Sequence, residues 1–79
     1  MPVVHVSIPQ GTFSPEQKQE LVARITDALV DVEQVPEVRQ FVNVLITEVT
    51  DGGWGVGGQV FTKEALSTQF GIGPKPVKK

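Results

Sequence analysis

The 79-residue chain has no cysteine and no tyrosine, one histidine (His5) and two arginines (Arg24 and Arg39). Without cysteine it forms no disulfide, and one histidine leaves few of the side chains that bind structural zinc. A chain this short buries only about 60% of the surface that it exposes when unfolded, so it needs another source of stability. Small scaffolds without disulfides or metals often gain that stability by association. We therefore expect a homo-oligomer.

Other features that the sequence lacks argue against a membrane or a nucleic acid as partner. No apolar run approaches the roughly 20 residues of a membrane span, and no signal-peptide pattern opens the chain. The net charge is −2 and there is no basic stripe, which argues against nucleic acid. We expect a soluble, cytoplasmic protein with one domain over residues 1–79. Its Gly-, Pro- and Lys-rich end, residues 71–79, is predicted to be a loose tail.

Two extended segments flank one amphipathic helix. VVHVSI (residues 3–8) and FVNVLITEV (residues 41–49) are rich in β-branched residues. Between them, residues 14–17 read Ser-Pro-Glu-Gln, which combines an N-cap serine, a proline at the first helical position and a capping-box glutamine. The helix should end before Pro36, because the residue preceding a proline disfavours helical geometry. This order predicts an α+β fold built on a βαβ unit with parallel strands.

The second strand carries apolar residues on both faces, which is typical of a sheet that is covered on both sides. Val42, Val44 and Ile46 point to one face, whereas Phe41, Asn43, Leu45 and Thr47 point to the other. The chain offers only one long helix, and one helix covers one face of a sheet. We expect a second copy of the chain to cover the other face. Further along, Phe61 to Phe70 predicts either a hairpin strand or a short helix.

The segment DGGWGVGG (residues 51–58) places five glycines around Trp54 and Val56. It has neither the Walker spacing nor the dinucleotide fingerprint, so it does not indicate a nucleotide cofactor. A flexible loop that carries one large aromatic side chain suits a pocket lid or a subunit contact.

Together these features resemble the 4-oxalocrotonate tautomerase family over residues 2–60. The most specific parts are Gly11, Glu16-Gln17-Lys18, Ile46-Thr47-Glu48 and Gly55-Val56-Gly57-Gly58. The resemblance implies an enzyme that acts on a small molecule without a cofactor or a metal. It also implies βαβ protomers that dimerise through their sheets and assemble as a trimer of dimers.

In this family the catalytic group is the amino-terminal proline that methionine removal exposes, which corresponds to Pro2. An α-amino group in water has a pKa of about 8, and an apolar pocket lowers that pKa because it disfavours the charged form. A neutral secondary amine could take a proton from an enol and return it elsewhere on the conjugated skeleton, which is general acid–base catalysis. The resemblance also places Trp54 at the pocket.

The family's two substrate-binding arginines are not matched here. The first falls at Thr12 or Phe13 and the second at Asn43, and these side chains cannot supply a charge. Arg39, in the turn before the second strand, is a candidate cation that could reach the pocket. We therefore expect weak activity on dicarboxylates and better activity on a monoacid, an aryl enol or an uncharged carbonyl compound.

Two other interpretations stay open. Pro2 could assist water addition to an unsaturated acid or its dehalogenation, with Glu48 as the candidate that activates water. The chain could also be a non-catalytic oligomeric binding module that has lost the substrate arginines. His5 has the opposite parity to Pro2 along the first strand, so we expect it at the surface or at an interface.

Overall fold

The computed structural model describes residues 2–77, and the predicted βαβ unit is confirmed. Strands β1 and β2 pair in parallel, with Val3 opposite Asn43 and Pro9 opposite Val49. A separate antiparallel pair, β3 and β4, follows. The bounds are β1 Val3–Pro9, α1 Pro15–Glu33, a 3-10 helix Pro36–Phe41, β2 Asn43–Val49, β3 Gly55–Val56, β4 Gln59–Val60 and α2 Lys63–Phe70.

Helix α1 begins and ends where the sequence predicts. The Ser14 hydroxyl accepts the backbone N–H of Gln17 at 3.1 Å, and the Gln17 side chain accepts the backbone N–H of Ser14 at 2.9 Å. This reciprocal capping box satisfies two donors that the helix would otherwise leave free. At the other end, Gln34 adopts a left-handed conformation with φ 61° and donates to the Val30 carbonyl. The chain thus leaves the helix before Pro36.

The alternating burial of the sheet matches the predicted parity. Ile8 is 5% exposed, and Val4 and Val6 are half-buried on the same face. The opposite face is open: Val3 and Leu45 are 50% and 48% exposed, and four neighbours on that face are also exposed, His5, Ser7, Asn43 and Thr47. One boundary was wrong, because β2 begins at Asn43 and not at residue 41. Phe41 instead ends the 3-10 helix.

A C-terminal hairpin and a short helix both occur, and the hairpin lies over residues 55–60, before the segment Phe61 to Phe70 where the sequence suggested a strand. Gly57 and Gly58 form the two-residue turn between β3 and β4, with φ of 59° and 82°. A tight hairpin of this kind needs positive φ at both turn residues, which glycine adopts without steric cost. Helix α2 then begins after the N-cap Thr62 and buries Leu66.

The segment after α2 lies against the start of α1. It has no helix or strand over residues 71–77, yet three of its main-chain groups bond to α1 or its cap. Ser14 Oγ donates to the Lys75 carbonyl, the Lys75 N–H donates to Gln17 Oε1, and the Val77 N–H donates to Glu16 Oε1, at 2.8, 2.9 and 3.1 Å. The predicted loose tail of residues 71–79 stays a prediction, and its last two residues lie outside the described part.

We expect Ser14→Ala to lower the free energy of unfolding by about 1–2 kcal/mol, because it removes an N-cap and the bond to Lys75. Urea unfolding at a fixed protein concentration measures this loss. Ser67→Ala is the matched control, since Ser67 is exposed within α2 and alanine is a better helix former. Equal stability of the two variants would contradict the structural role of the cap.

Within residues 2–77, no helix combines the length and the apolar character needed to cross a bilayer.

Candidate active site

Pro2 and Asn43 lie side by side where the two parallel strands begin. The Pro2 carbonyl accepts the backbone N–H of Asn43 at 3.0 Å, and the strand register continues from there with Val3 opposite Asn43. Pro2 is half-buried and Asn43 is exposed. The fold therefore brings together two of the residues that the sequence indicated, although they lie far apart along the chain.

The Asn43 side chain is partly oriented by the turn before it. Its Nδ2 donates to the Phe41 carbonyl at 3.0 Å. An amide NH₂ group has two N–H bonds and the amide oxygen accepts further bonds. One donor of Asn43 is thus held by its own chain, which restricts the orientation of the amide group at the start of β2. Phe41 itself is 47% exposed at this edge of the sheet.

Thr12 and Phe13 lie at the opposite end of β1. Thr12 is 2% exposed, and its Oγ1 donates to the Pro9 carbonyl at 2.7 Å, so the hydroxyl holds the loop together. Phe13 lines a shallow cleft of about 460 Å³ between α1 and the C-terminal segment. The whole of the seven-residue strand β1 separates both residues from Pro2 of the same chain. Their contact with substrate stays a prediction.

Arg39 lies on the exposed surface of the 3-10 helix and pairs with Asp27 of α1. Glu48, the candidate for activating water, pairs with Lys18 of α1 at 3.1 Å. Both pairs are open to solvent, and pairs of this kind contribute little to stability. Within one chain, then, each of these side chains has an oppositely charged neighbour.

Trp54 lies directly before the hairpin. It is half-buried, and its carbonyl accepts the Phe61 N–H at 2.8 Å, which closes the base of the β3–β4 hairpin. Val56 and Val60 on this hairpin are each 55% exposed. The β3–β4 hairpin forms a sheet of its own, separate from β1–β2. Trp54 therefore lies at the base of a small hairpin that exposes apolar side chains.

The sequence did not indicate Lys63, the first residue of α2. Its backbone N–H donates to Asp51 Oδ1 at 2.8 Å. Its side chain lies over Gly11, where a methyl group on the glycine would come within 2.9 Å of Lys63 Cδ. The residues near Gly11 in the sequence gave no signal for this contact, because Lys63 reaches it from a distant segment of the chain.

Nothing in the described chain suggests a metal centre: residues 2–77 hold no group of three or more histidine, aspartate or glutamate side chains able to bind a metal ion.

Comparison with known proteins indicates the family of the chain. The family model described as "Tautomerase enzyme" matches residues 2–64. The "Probable tautomerase K2" of Dickeya dadantii is 35% identical over 63 residues, which cover 80% of this chain and 91% of the relative. The "2-hydroxymuconate tautomerase" of Pseudomonas putida is 33% identical over 63 residues, covering 80% and 95%.

Solved structures give the same result. A crystal structure of a 4-oxalocrotonate tautomerase homologue aligns with a TM-score of 0.65 at 33% identity, covering 76% of this chain and 90% of that one. A structure from a study of the 4-oxalocrotonate tautomerase isozymes of Methylibium petroleiphilum has the same TM-score at 28% identity, covering 82% and 97%. The family model spans most of the chain, and both curated relatives align over nearly their whole length. The chain therefore belongs to the tautomerase family.

Proposed function

We propose that the protein is a tautomerase that converts a small enol into its ketone with the amine of Pro2, after Met1 has been removed. The observation that carries the proposal is the position of Pro2 at the open start of β1, hydrogen-bonded to Asn43. The family model also begins its match at residue 2. Met1 itself lies outside the described residues.

The reaction needs one group that first accepts the proton as a base and then donates it as an acid. The neutral Pro2 nitrogen takes the proton from the enol hydroxyl, the oxygen lone pair forms the carbonyl, and the carbon–carbon double bond supplies an electron pair to the terminal carbon. The protonated amine then returns the proton to that carbon. Atoms and charge balance, and the amine is regenerated. General acid–base catalysis of this type contributes about 10²–10⁴-fold.

Asn43 would stabilise the oxygen on which negative charge develops. One of its two side-chain N–H bonds is held by the Phe41 carbonyl, and the other is available to a substrate oxygen. Donors aimed at a developing oxyanion are often the largest single contribution to catalysis. Trp54 would supply an apolar wall that excludes water, and in our proposal the hairpin brings it from a neighbouring copy.

The expected substrate carries fewer charges than a dicarboxylate. A guanidinium group matches a carboxylate with two parallel hydrogen bonds, and neither Thr12 nor Asn43 can replace it. Thr12 in addition uses its hydroxyl hydrogen within the loop. We therefore propose a monocarboxylic or aryl enol as substrate. Thr12, Phe13 and Arg39 remain proposals as contacts in the assembled protein.

Assembly through the open face of the β1–β2 sheet is part of the proposal. Among the described residues, Ile8 and Leu66 are the hydrophobic side chains that are buried, which is a small core for 79 residues. Val3, Phe41 and Leu45 are about half exposed on or beside the open face. Covering this face would add the missing apolar burial, and a trimer of dimers is the arrangement that we propose.

The stability of the protein is accordingly expected to depend on its concentration. When folding and association are coupled, dilution lowers Tm by mass action. We expect a measurable fall in Tm by differential scanning fluorimetry over a hundred-fold dilution. A Tm that is independent of concentration would contradict assembly as the main source of stability.

The test of the activity combines intact mass with ketonisation assays of the purified protein. Mass shows whether Met1 is absent. Ultraviolet absorbance then follows three enols: 2-hydroxymuconate as the dicarboxylate, the enol of a 3-aryl-2-keto acid as the monocarboxylate, and a neutral aryl enol. We expect ketonisation faster than in buffer, with the dicarboxylate as the poorest substrate.

If Met1 is absent and none of the enols reacts faster than in buffer, the tautomerase proposal fails. A non-catalytic binding module then becomes the better interpretation. Hydration or dehalogenation of an unsaturated acid without any ketonisation would favour the other alternative. Glu48 lies opposite Ile8, at the far end of the β1–β2 pair from Pro2 of the same chain, which argues against that reaction within one protomer.

A further inference from the structure

The segment that follows α2 reads Gly-Ile-Gly-Pro-Lys-Pro-Val over residues 71–77. The family model matches residues 2–64, so this segment lies beyond the part of the chain that the family resemblance describes. Neither the proposed active site nor the proposed assembly gives the segment a role. Its two prolines and its bonds to α1 indicate what that role is.

The end of α2 gives the segment a fixed starting point. Gly71 has φ of 68°, a left-handed conformation that glycine adopts without steric cost. Its N–H donates to the Ser67 carbonyl at 2.9 Å, and the Ile72 N–H donates to the Leu66 carbonyl at 3.2 Å. These bonds satisfy carbonyl groups that a helix end would otherwise leave free. The chain therefore leaves α2 in a defined direction.

Pro74 and Pro76 restrict the backbone of the segment before it contacts α1. Each proline ring fixes φ at about −65° and removes a backbone N–H. Lys75, which precedes a proline, favours an extended conformation. The segment therefore has fewer conformations to lose when it becomes ordered. Over residues 74–77, the backbone N–H groups that remain are those of Lys75 and Val77.

Both of these N–H groups are bonded to the first turn of α1. The Lys75 N–H donates to Gln17 Oε1 at 2.9 Å, and the Val77 N–H donates to Glu16 Oε1 at 3.1 Å. The Lys75 carbonyl accepts the Ser14 hydroxyl at 2.8 Å. The donors that the prolines leave in the segment thus match the acceptors that the first turn presents.

The first turn binds the segment without giving up its own capping box. Gln17 Oε1 accepts the Ser14 N–H as well as the Lys75 N–H, each at 2.9 Å, because an amide oxygen has two lone pairs. The Ser14 hydroxyl accepts the Gln17 N–H and donates its own hydrogen to Lys75. Release of the segment would therefore leave α1 capped and folded.

The loop between β1 and α1 has contacts with the C-terminal region on either side of Thr12 in the sequence. Before Thr12, the stem of Lys63 packs over Gly11, where a methyl group on the glycine would lie 2.9 Å from Lys63 Cδ. After Thr12, Phe13 lines the cleft whose other wall is the segment at residues 75–77. Thr12 itself is 2% exposed. The loop is thus enclosed by residues that follow it by about fifty positions or more.

We infer that residues 74–77 are a latch: bound to the first turn of α1, they keep the β1–α1 loop at residues 11–13 in one conformation. When the latch opens, the loop becomes mobile while α1 stays folded. Such local openings need less free energy than global unfolding. The inference replaces the loose tail that the sequence predicted, and it does not rest on the proposed function.

The full-length double variant Lys75→Pro with Val77→Pro tests the latch. It removes both backbone donors and keeps the segment extended. The matched control is Lys75→Ala with Val77→Ala, which changes the same side chains and retains both N–H groups. Nuclear magnetic resonance relaxation of 15N-labelled, deuterated protein gives the order parameter S² of each backbone N–H, which is about 0.85 in rigid backbone and below about 0.6 in flexible backbone.

In the wild type and in the alanine control, we expect S² of about 0.85 at residues 11–13, 75 and 77. In the proline variant, S² at residues 11–13 should fall below about 0.6 while α1 keeps its value. A flexible residue 77 in the wild type would overturn the inference in favour of a loose tail. A rigid loop in the proline variant, an equal change in the alanine control, or loss of α1 would overturn the latch, and none of these results bears on the proposed function.

Discussion

Blocking the Pro2 nitrogen is expected to abolish most of the ketonisation activity. In a chain with an uncleaved N-terminal tag, that nitrogen is an amide, which has no basic lone pair. We expect kcat/KM for the monocarboxylic enol to fall by about 10²–10⁴-fold, the usual contribution of a general acid–base group. A chain with the same tag after Lys79 is the matched control and should keep its activity.

Pro2→Ala should show a smaller loss, of about 100-fold. Alanine keeps a terminal amine, but that amine is primary and rotates about the N–Cα bond. The proline ring holds the nitrogen and its lone pair in one direction, and positioning of this kind is worth a large part of a rate enhancement. A fall in kcat with little change in KM is the expected pattern, because the substrate contacts remain.

Full activity of the N-terminally tagged chain would contradict the proline mechanism, while the family membership would stand. Circular dichroism and sedimentation of each chain show whether a tag has disturbed folding or assembly. Activity that survives the tag in a correctly assembled protein would require another base. His5 is the first residue to substitute in that case, since it is exposed on β1, the strand that Pro2 precedes.

Much of the fold follows from signals that are local in the sequence. Ser14, Pro15 and Gln17 specify the start of α1 within four residues, and each makes its contribution through the neighbouring backbone. The parity of β1 is equally local, because burial alternates with every residue of a strand. Such features can be predicted because the residues that decide them are adjacent.

The β2 boundary and the hairpin show where local signals are weaker. Phe41 has high β-propensity, yet it ends a 3-10 helix that Pro36 begins. Strand propensity depends on pairing with a neighbour, and the pairing begins only at Asn43, opposite Val3. The glycine-rich segment suggested a flexible loop, whereas Gly57 and Gly58 form a tight turn that also needs glycine.

The candidate site was predicted least well because it depends on contacts between distant segments. The sequence implied that β1 and β2 are parallel, and the register seen in the structure pairs Pro2 with Asn43. The ion pair of Arg39 with Asp27 and the packing of Lys63 over Gly11 follow only from the path of the chain between elements. No periodicity or spacing encodes that path, so these two contacts were found in the structure alone.

Leu45→Asp should disrupt the proposed assembly. Leu45 is 48% exposed at the centre of the open sheet face, opposite His5 on β1. In an interface its burial would contribute about 1.5–3 kcal/mol per copy, whereas an unpaired carboxylate there costs several kcal/mol. A short aspartate cannot extend to the rim as a long charged side chain does. Sedimentation velocity should therefore show protomers in place of oligomers.

Val32→Asp is the matched control, because Val32 is 80% exposed on α1 and the change of charge is the same. It should assemble and catalyse like the wild type. Leu45→Asp should lose catalysis together with assembly, since Trp54 would no longer reach Pro2 of a neighbour. Retained ketonisation by folded Leu45→Asp monomers would show that one chain contains a complete site, and the proposed contribution of Trp54 from a neighbouring copy would then be wrong.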